Sequence, residues 1–257
     1  METIGALADL KALIPFEPLS TVERMTLYEI NRGPEGNIVD VDEEDLTKHD
    51  YRTLNAGQML NDKVINHFAE LVQSRSPADD RRPYIFNTYF MPTLVGDPSG
   101  YCYEKVQKWT NRLRDSEQLY ARRAILFPLN VNRVHWTLVV ADVRQRTLTY
   151  YDSMGDSGES YLQLIQRYLT DDYKDKNGES LPWVWALVSK GCSTPQQKNG
   201  VDCGVFMLAL LNILCRGFEL DVEPDLQSLF SQKDIARIRV QIQLDLVRGA
   251  VFPTSAA

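Results

Sequence analysis

The chain has 257 residues, 44% of them hydrophobic and 25% charged, which is the make-up of an ordinary globular protein with one sizeable core and little room for a second domain. A net charge of −7, with no Lys/Arg cluster denser than the pairs at 81–82 and 122–123, argues against nucleic acid as a partner. No apolar run reaches the ~18 residues of a membrane span, Glu2 and Asp9 stand where a signal peptide carries positive charge, and cysteines at 102, 192, 203 and 215 lack the spacing of a disulfide framework or a zinc site and fit a reducing compartment.

In chain order, residues 1 to about 45 lack periodicity, carry turn residues in "NRGPEGN" (31–37), and read as an extension wrapped on a core or partly loose. The acidic run "DVDEEDL" (40–46) reads as a first helical turn, where carboxylates suit the positive end of the dipole. In "LNDKVINHFAELV", Val64, Phe68, Leu71 and Val72 share one face, which predicts a helix capped by Asn61 or Asp62. "YIFNTYFM" (84–91) reads as strand or extended chain, and "YEKVQKWTNRL" (103–113) as a second helix. "AILFPLN" (124–130), "HWTLVVADV" (135–143) and "TLTYYDS" (147–153) are β-branched and aromatic between short polar turns, which predicts consecutive strands of one sheet. "YLQLIQRYL" (161–169) is helical by its 161/164/165/168 stripe, and "WVWALVS" (183–189) is a further strand. "GVFMLALLNILC" (204–215) is apolar nearly all round and predicts a buried helix, with an amphipathic helix over roughly 232–248 to close. The order of elements argues for an α+β fold.

Cys203, in "QQKNGVDCGVF" (196–206), falls between a turn-rich loop and that buried helix. Unpaired N–H groups and the positive dipole end stabilise a thiolate there. A free cysteine is also among the most often buried residues, so the stretch alone leaves nucleophile and core residue both open. Three histidines compete as its base. His49 lies in a polar segment, His67 on a helix, and His135 opens a strand beside the loop "NVNRV". A tight hairpin between 135–143 and 147–153 brings the start of the first strand beside the end of the second, and so His135 beside Asp152. Asp142 falls at the opposite end of the hairpin. Gln197 or Gln196, with the backbone N–H of Cys203, offers donors for an oxygen that becomes negative during acyl transfer, and spacing does not choose between them.

Together, "VHWTLVVAD", "LTYYDSMG" and "QQKNGVDCGVF" resemble the cysteine proteases of ubiquitin-like modifiers, most closely the SUMO-specific, or sentrin-specific, group of the adenain-like clan. "DYRTLNAGQMLNDKVINHF" (50–68), "FNTYF" (86–90) and "GYCYEKVQKWTNRL" (100–113) extend the likeness over roughly residues 45–250. The resemblance implies a papain-like α+β fold: a mixed sheet flanked by helices, with the nucleophile at the N-terminus of a buried helix. It implies His135 as base, Asp152 as orienting acid, Cys203 as nucleophile and Gln197, rather than Gln196, as oxyanion donor. In such enzymes the modifier's Gly-Gly tail threads a slot bounded by aromatic rings, which only residues lacking a Cβ can pass. Trp136 matches one wall. Met59 stands where a tryptophan is usual before "LND", Asp62 matches a tail-contacting position, and Trp109 joins the substrate-binding set. The loop before His135 is one residue longer than the family's pattern.

The implied organisation is an extension over 1–44, a catalytic domain over 45–250 and a tail over 251–257. The implied partner is SUMO or a related modifier with its conjugates, in nucleus or cytoplasm, acted on by a monomer without metal or organic cofactor. A deneddylase, a deubiquitinase, a catalytically inactive modifier-binding module and an acetyltransferase of related fold are the competing readings.

Overall fold

The computed structural model describes residues 10, 19–32, 37–39, 46–76, 82–96, 100–111, 113, 117–220 and 223–249. In chain order these form α1 (Thr21–Arg32), β1 (Asn37–Val39), β2 (Leu46–Thr47), α2 (Lys48–Arg52), α3 (Asp62–Arg75), β3 (Tyr84–Ile85), α4 (Phe90–Val95), a 3₁₀ turn (Tyr103–Lys105), α5 (Glu117–Tyr120), β4 (Ala124–Val131), β5 (His135–Asp142), β6 (Thr147–Tyr151), α6 (Glu159–Asn177), β7 (Ala186–Ser189), α7 (Cys203–Leu220), α8 (Leu226–Leu229) and α9 (Ile235–Arg248). Two compact units share the chain: residues 1–76 with 195–257, and residues 77–194.

The unit of residues 77–194 is built on a five-stranded sheet in the order β3-β4-β5-β6-β7. The three middle strands are antiparallel and the two outer ones run parallel to their neighbours, a mixed sheet. The three strands expected between 124 and 153 are all present. Their apolar side chains join Phe86 and Phe90 in an aromatic core, with Phe86 stacked on Phe127 at 4.7 Å and Phe90 edge-on to Tyr168 at 4.6 Å. Rings so arranged add about 0.5–1.5 kcal/mol per pair beyond their burial.

Helix α6 is longer than the stripe predicted and is rotated, burying Leu162, Ile165, Tyr168, Leu169 and Asp172 in place of Tyr161 and Leu164. Asp172 lies on that buried face, where its carboxylate pairs with Lys176 of the same helix at 2.9 Å and accepts from the Tyr120 hydroxyl at 3.2 Å and the Tyr103 hydroxyl at 3.3 Å. Two expectations fail here. Only Tyr84 and Ile85 of "YIFNTYFM" form a strand, and Phe90 already opens α4. Where a helix is expected over 103–113, the described residues 103–111 form a chain of single turns, with bonds from Gln107 N–H to Tyr103 O, Trp109 N–H to Val106 O and Asn111 N–H to Lys108 O. Tyr103 and Thr110 are both drawn to Asp172 and Trp109 to the Phe90 ring, and the face of a regular helix that carried the first two would point the third elsewhere.

The other unit is mainly helical, with the small β1–β2 sheet beside its helices in the chain. Helix α7 is buried from Cys203 to Cys215, as its all-round apolarity predicts, with α3 and α9 packed on it. Each fully buried leucine or phenylalanine of such a helix contributes about 1.5–3 kcal/mol. Asn61 caps α3 by accepting from the Val64 N–H at 3.1 Å, which decides between the two residues proposed for that role. The N-terminal stretch holds more structure than its weak periodicity suggests. Helix α1 is opened by Ser20 and Glu23, each side chain accepting from the other's backbone N–H, and is anchored by buried Leu27 and an Arg248–Glu23 ion pair. Most of the acidic run 40–46 lies outside the described residues. Leu46 belongs to β2, and the helix that follows begins at Lys48 behind a capping box of Thr47 and Asp50.

Gly158, just before α6, has a φ of +61°, and a Cβ there would lie 2.3 Å from the Tyr150 ring. Gly158→Ala is expected to cost about 2–4 kcal/mol, the sum of left-handed strain and overpacking, and to lower the thermal midpoint by several degrees. An unchanged midpoint in a melt followed by circular dichroism would contradict this packing.

Candidate active site

The hairpin geometry holds. In the antiparallel register of β5 and β6, Leu138 faces Tyr151 and Asp142 faces Thr147, so His135 and Asp152 lie at the same end. His135 enters β5 from a three-residue connection in which Asn132 and Arg133 both take positive φ, 52° and 63°, the twist a tight antiparallel connection favours. The His135 Nε2 lies 2.7 Å from Asp152 Oδ1, with the imidazole partly buried and the carboxylate 1% exposed. Asp142, at the far end, is taken by Arg123 and by the Gln145 N–H. Of the other histidines, His67 bonds through Nδ1 to the carbonyl of Lys63 in its own helix, and His49 is exposed on α2.

Burial by itself pushes the Asp152 carboxyl up. Hydrogen bonds from His135 and from the Met154 N–H (2.7 Å) outweigh it and hold the group below aspartate's ordinary 3.8. The Tyr150 hydroxyl adds a longer contact to Oδ2 at 3.4 Å. An anionic carboxylate on Nε2 fixes the ring and stabilises an imidazolium, and leaves Nδ1 as the nitrogen through which a proton would be exchanged.

The helical unit carries Cys203 as the first residue of α7, buried at 1% exposure. The backbone carbonyl of Asp202 accepts from the N–H groups of Val205 and Phe206, which starts the helix and places Cys203 in its first turn, at the positive end of an 18-residue dipole. The preceding loop is folded by Asn199, whose Oδ1 accepts from the N–H groups of Val201 and Asp202, both at 3.1 Å. Gln197 is partly buried and donates one amide hydrogen to the carbonyl of Asn199, whereas Gln196 is exposed.

Among the substrate-binding candidates, Met59 is 39% exposed and Trp136 is buried. Asp62 is the first residue of α3 rather than its cap, and Trp109 packs edge-to-face on Phe90 with centroids 5.6 Å apart. Among the described residues no group of histidine, cysteine and carboxylate side chains is arranged to hold a metal ion, and no helix is long and apolar enough to cross a membrane.

Not foreseen from the sequence are Tyr150, Asn199, Asp202, Gln232 and Arg239. The last has a visible signal: it is a charged residue on the apolar face marked by Ile235, Ile238 and Ile242, and there it is buried against Asp202.

A family model described as the Ulp1 protease family, C-terminal catalytic domain, matches residues 58–248. The putative ubiquitin-like-specific protease 1B of Arabidopsis thaliana is 31% identical over 250 residues, covering 91% of this chain and 68% of that protein. Human sentrin-specific protease 2 is 32% identical over 196 residues, covering 75% of this chain but only 32% of that protein's length. The X-ray structure of the C-terminal Ulp1 protease domain in complex with Smt3, the yeast ortholog of SUMO, superposes with a TM-score of 0.72 at 24% identity, covering 92% of this chain and 97% of that one. The α+β architecture is thus the Ulp1-like fold, with its mixed sheet and flanking helices.

Because the Asp152 carboxyl is depressed in the folded state, its stabilisation is present above aspartate's ordinary 3.8 and is lost as pH falls through the lower folded value. The urea midpoint is expected to drop on acidification below pH 4 (about the unfolded aspartate value), and less steeply in Asp152→Asn. Parallel pH profiles for the two proteins would show that the pair does not stabilise the fold.

Proposed function

The chain belongs to the Ulp1 protease family, and from that premise we propose that it is a cysteine protease that cleaves after the C-terminal Gly-Gly of a ubiquitin-like modifier, with SUMO as the preferred modifier. The observation that carries the reading is the His135–Asp152 pair with its buried carboxylate, occurring in a chain whose family match also takes in the Cys203 segment. The SUMO preference is supported by the names of the relatives and by the complex with Smt3 in the structural neighbour.

The reaction is acyl transfer in two halves. The Cys203 thiolate attacks the carbonyl of the modifier's last glycine, and the oxyanion is held by the side-chain amide of Gln197 and by backbone N–H at the start of α7. The His135 imidazolium, kept in place by Asp152, gives its Nδ1 proton to the leaving amine. That amine is a lysine ε-amine in deconjugation or a peptide α-amine in precursor maturation. Water, deprotonated by His135, then hydrolyses the thioester and releases the modifier's carboxylate.

Met59, exposed ahead of α3, is assigned to cover the Gly-Gly tail, with Trp136 as the opposite wall and Asp62 and Trp109 as further modifier contacts. A thioether on three rotatable bonds makes a softer cover than an indole, so ground-state binding is weaker than a tryptophan would give.

The direct test is hydrolysis of a panel of modifiers bearing a fluorogenic C-terminal amide. SUMO is expected to turn over at least about 10²-fold faster than ubiquitin or NEDD8, about 3 kcal/mol of discrimination. Equal or inverted rates would overturn the substrate assignment, and no turnover with any modifier would overturn the enzyme itself. Cys203→Ala is expected to abolish cleavage while keeping modifier affinity and a melting temperature within about 3 °C, whereas a large stability loss with retained cleavage would make Cys203 a core residue. Asp152→Asn is expected to lower kcat by about 10² or more. Met59→Trp is expected to lower KM about threefold with kcat little changed, and an unchanged KM would remove Met59 from the tail's path.

A further inference from the structure

Arg239 projects from α9 into the helical unit, 4% exposed, and spends its guanidinium on two segments at once. Its Nε and Nη2 donate to Asp202 Oδ1 at 3.2 and 2.7 Å, a fork on the residue immediately before Cys203. Nη2 also donates to the carbonyls of Gln58 at 2.8 Å and Val201 at 3.3 Å, and Nη1 to those of Thr53 and Asn55, both at 3.2 Å. One planar cation therefore ties the loop that leads into the nucleophile to the 53–58 segment that leads into Met59.

The other carboxylate oxygen of Asp202 extends the tie. Oδ2 accepts from Asn199 at 2.6 Å and from the amide of Gln232 at 2.8 Å, while Gln232 Oε1 accepts from the Lys198 N–H at 2.7 Å. Every residue from Lys198 to Asp202 except Gly200 is thus fastened, by backbone or side chain, to one point. On α9, Gln243 adds a bond to the Asn55 side chain at 3.2 Å.

A buried ion pair is a poor device for stability alone. Desolvating both charges cancels most of their attraction, and an apolar pair of similar volume is often as stable. What a guanidinium supplies beyond charge is direction, since its donors lie in a fixed plane and can meet a carboxylate and several carbonyls at set angles. A lysine could keep the ion pair with Asp202, but its single nitrogen could not also reach the carbonyls of Thr53 and Asn55, which Nη1 holds.

We propose that Arg239, acting through Asp202, is a positioning residue that holds Cys203 and Met59 at one fixed spacing, so that the sulfur meets the tail carbonyl at the depth to which the cover presses the tail. The inference rests on the proposed roles of Cys203 and Met59. Misplacing the reacting atoms by about 1 Å can cost 10²-fold in rate, and that is the scale of effect this device guards against.

The test compares the full chain with Arg239→Lys, Gln232→Ala and Cys203→Ala on a fluorogenic SUMO amide, with rates divided by the folded fraction from circular dichroism. Arg239→Lys is expected to lower kcat per folded molecule about tenfold or more, while alkylation of Cys203 by iodoacetamide, which needs no cover, falls less than threefold. Wild-type kcat per folded Arg239→Lys molecule, or equal losses in cleavage and alkylation, would overturn the proposal. Should Arg239→Lys fail to fold, Gln232→Ala decides: it releases Asp202 Oδ2 and the Lys198 N–H from the partly exposed side, and a threefold or greater fall in kcat without a shift in melting temperature supports the device, whereas unchanged kcat removes it. Cleavage retained by Cys203→Ala would instead defeat the assignment of the nucleophile, a different failure from either of these.

Discussion

A carboxylate with almost no access to water, bonded to the first residue of the neighbouring strand, is the constraint on which the proposed chemistry depends. Asp152 stays ionised in that position because His135 and the Met154 N–H supply hydrogen bonds that burial alone would deny it. The imidazole is thereby held by one nitrogen and oriented for proton transfer through the other. The five-stranded sheet delivers two side chains to one end of one hairpin, and Val139, Ala141, Leu148 and Tyr150 of that hairpin share a core with the packed rings of Phe86, Phe90, Phe127 and Tyr168.

The helical unit solves a different problem. A thiol becomes a nucleophile only as a thiolate, and the first turn of a long buried helix is a place where negative charge is favoured. Placement at a helix start also fixes the loop before it. Asn199, Gln232 and Arg239 converge on Asp202, so the residue next to the sulfur has every side-chain oxygen engaged. Polar groups this deep tolerate no half-measures: once satisfied they specify one geometry, and once broken they cost more than they supplied.

Much of this was legible in the sequence where a local rule governed. β-branched and aromatic runs between short polar turns gave β4, β5 and β6, all-round apolarity gave α7, and the nearness of His135 to Asp152 followed from strand length and antiparallel pairing. What escaped was set by tertiary contacts. The stretch 103–113 has helical residues, yet Tyr103, Thr110 and Trp109 answer to Asp172 and Phe90 from different sides, and single turns replace a helix. The buried face of α6 includes Asp172, a charged residue that periodicity counts as surface. Helix α1 carries a local signal, the Ser20 and Glu23 capping pair, in a stretch whose weak periodicity does not suggest a helix. Arg239 is the general case, since a charge on an apolar stripe reads as a blemish until the buried carboxylate that receives it is seen.

Assignment of the base, acid and nucleophile makes one physical demand: the reactivity of the Cys203 sulfur must depend on the imidazole of His135. The most direct measurement is the pH dependence of iodoacetamide alkylation at Cys203, followed by mass spectrometry of its peptide, in the wild type and in His135→Ala. The account predicts rapid alkylation already near pH 6 in the wild type, and in the variant a profile that rises only toward the ordinary thiol value of about 8.5. Superimposable profiles for the two proteins would contradict it.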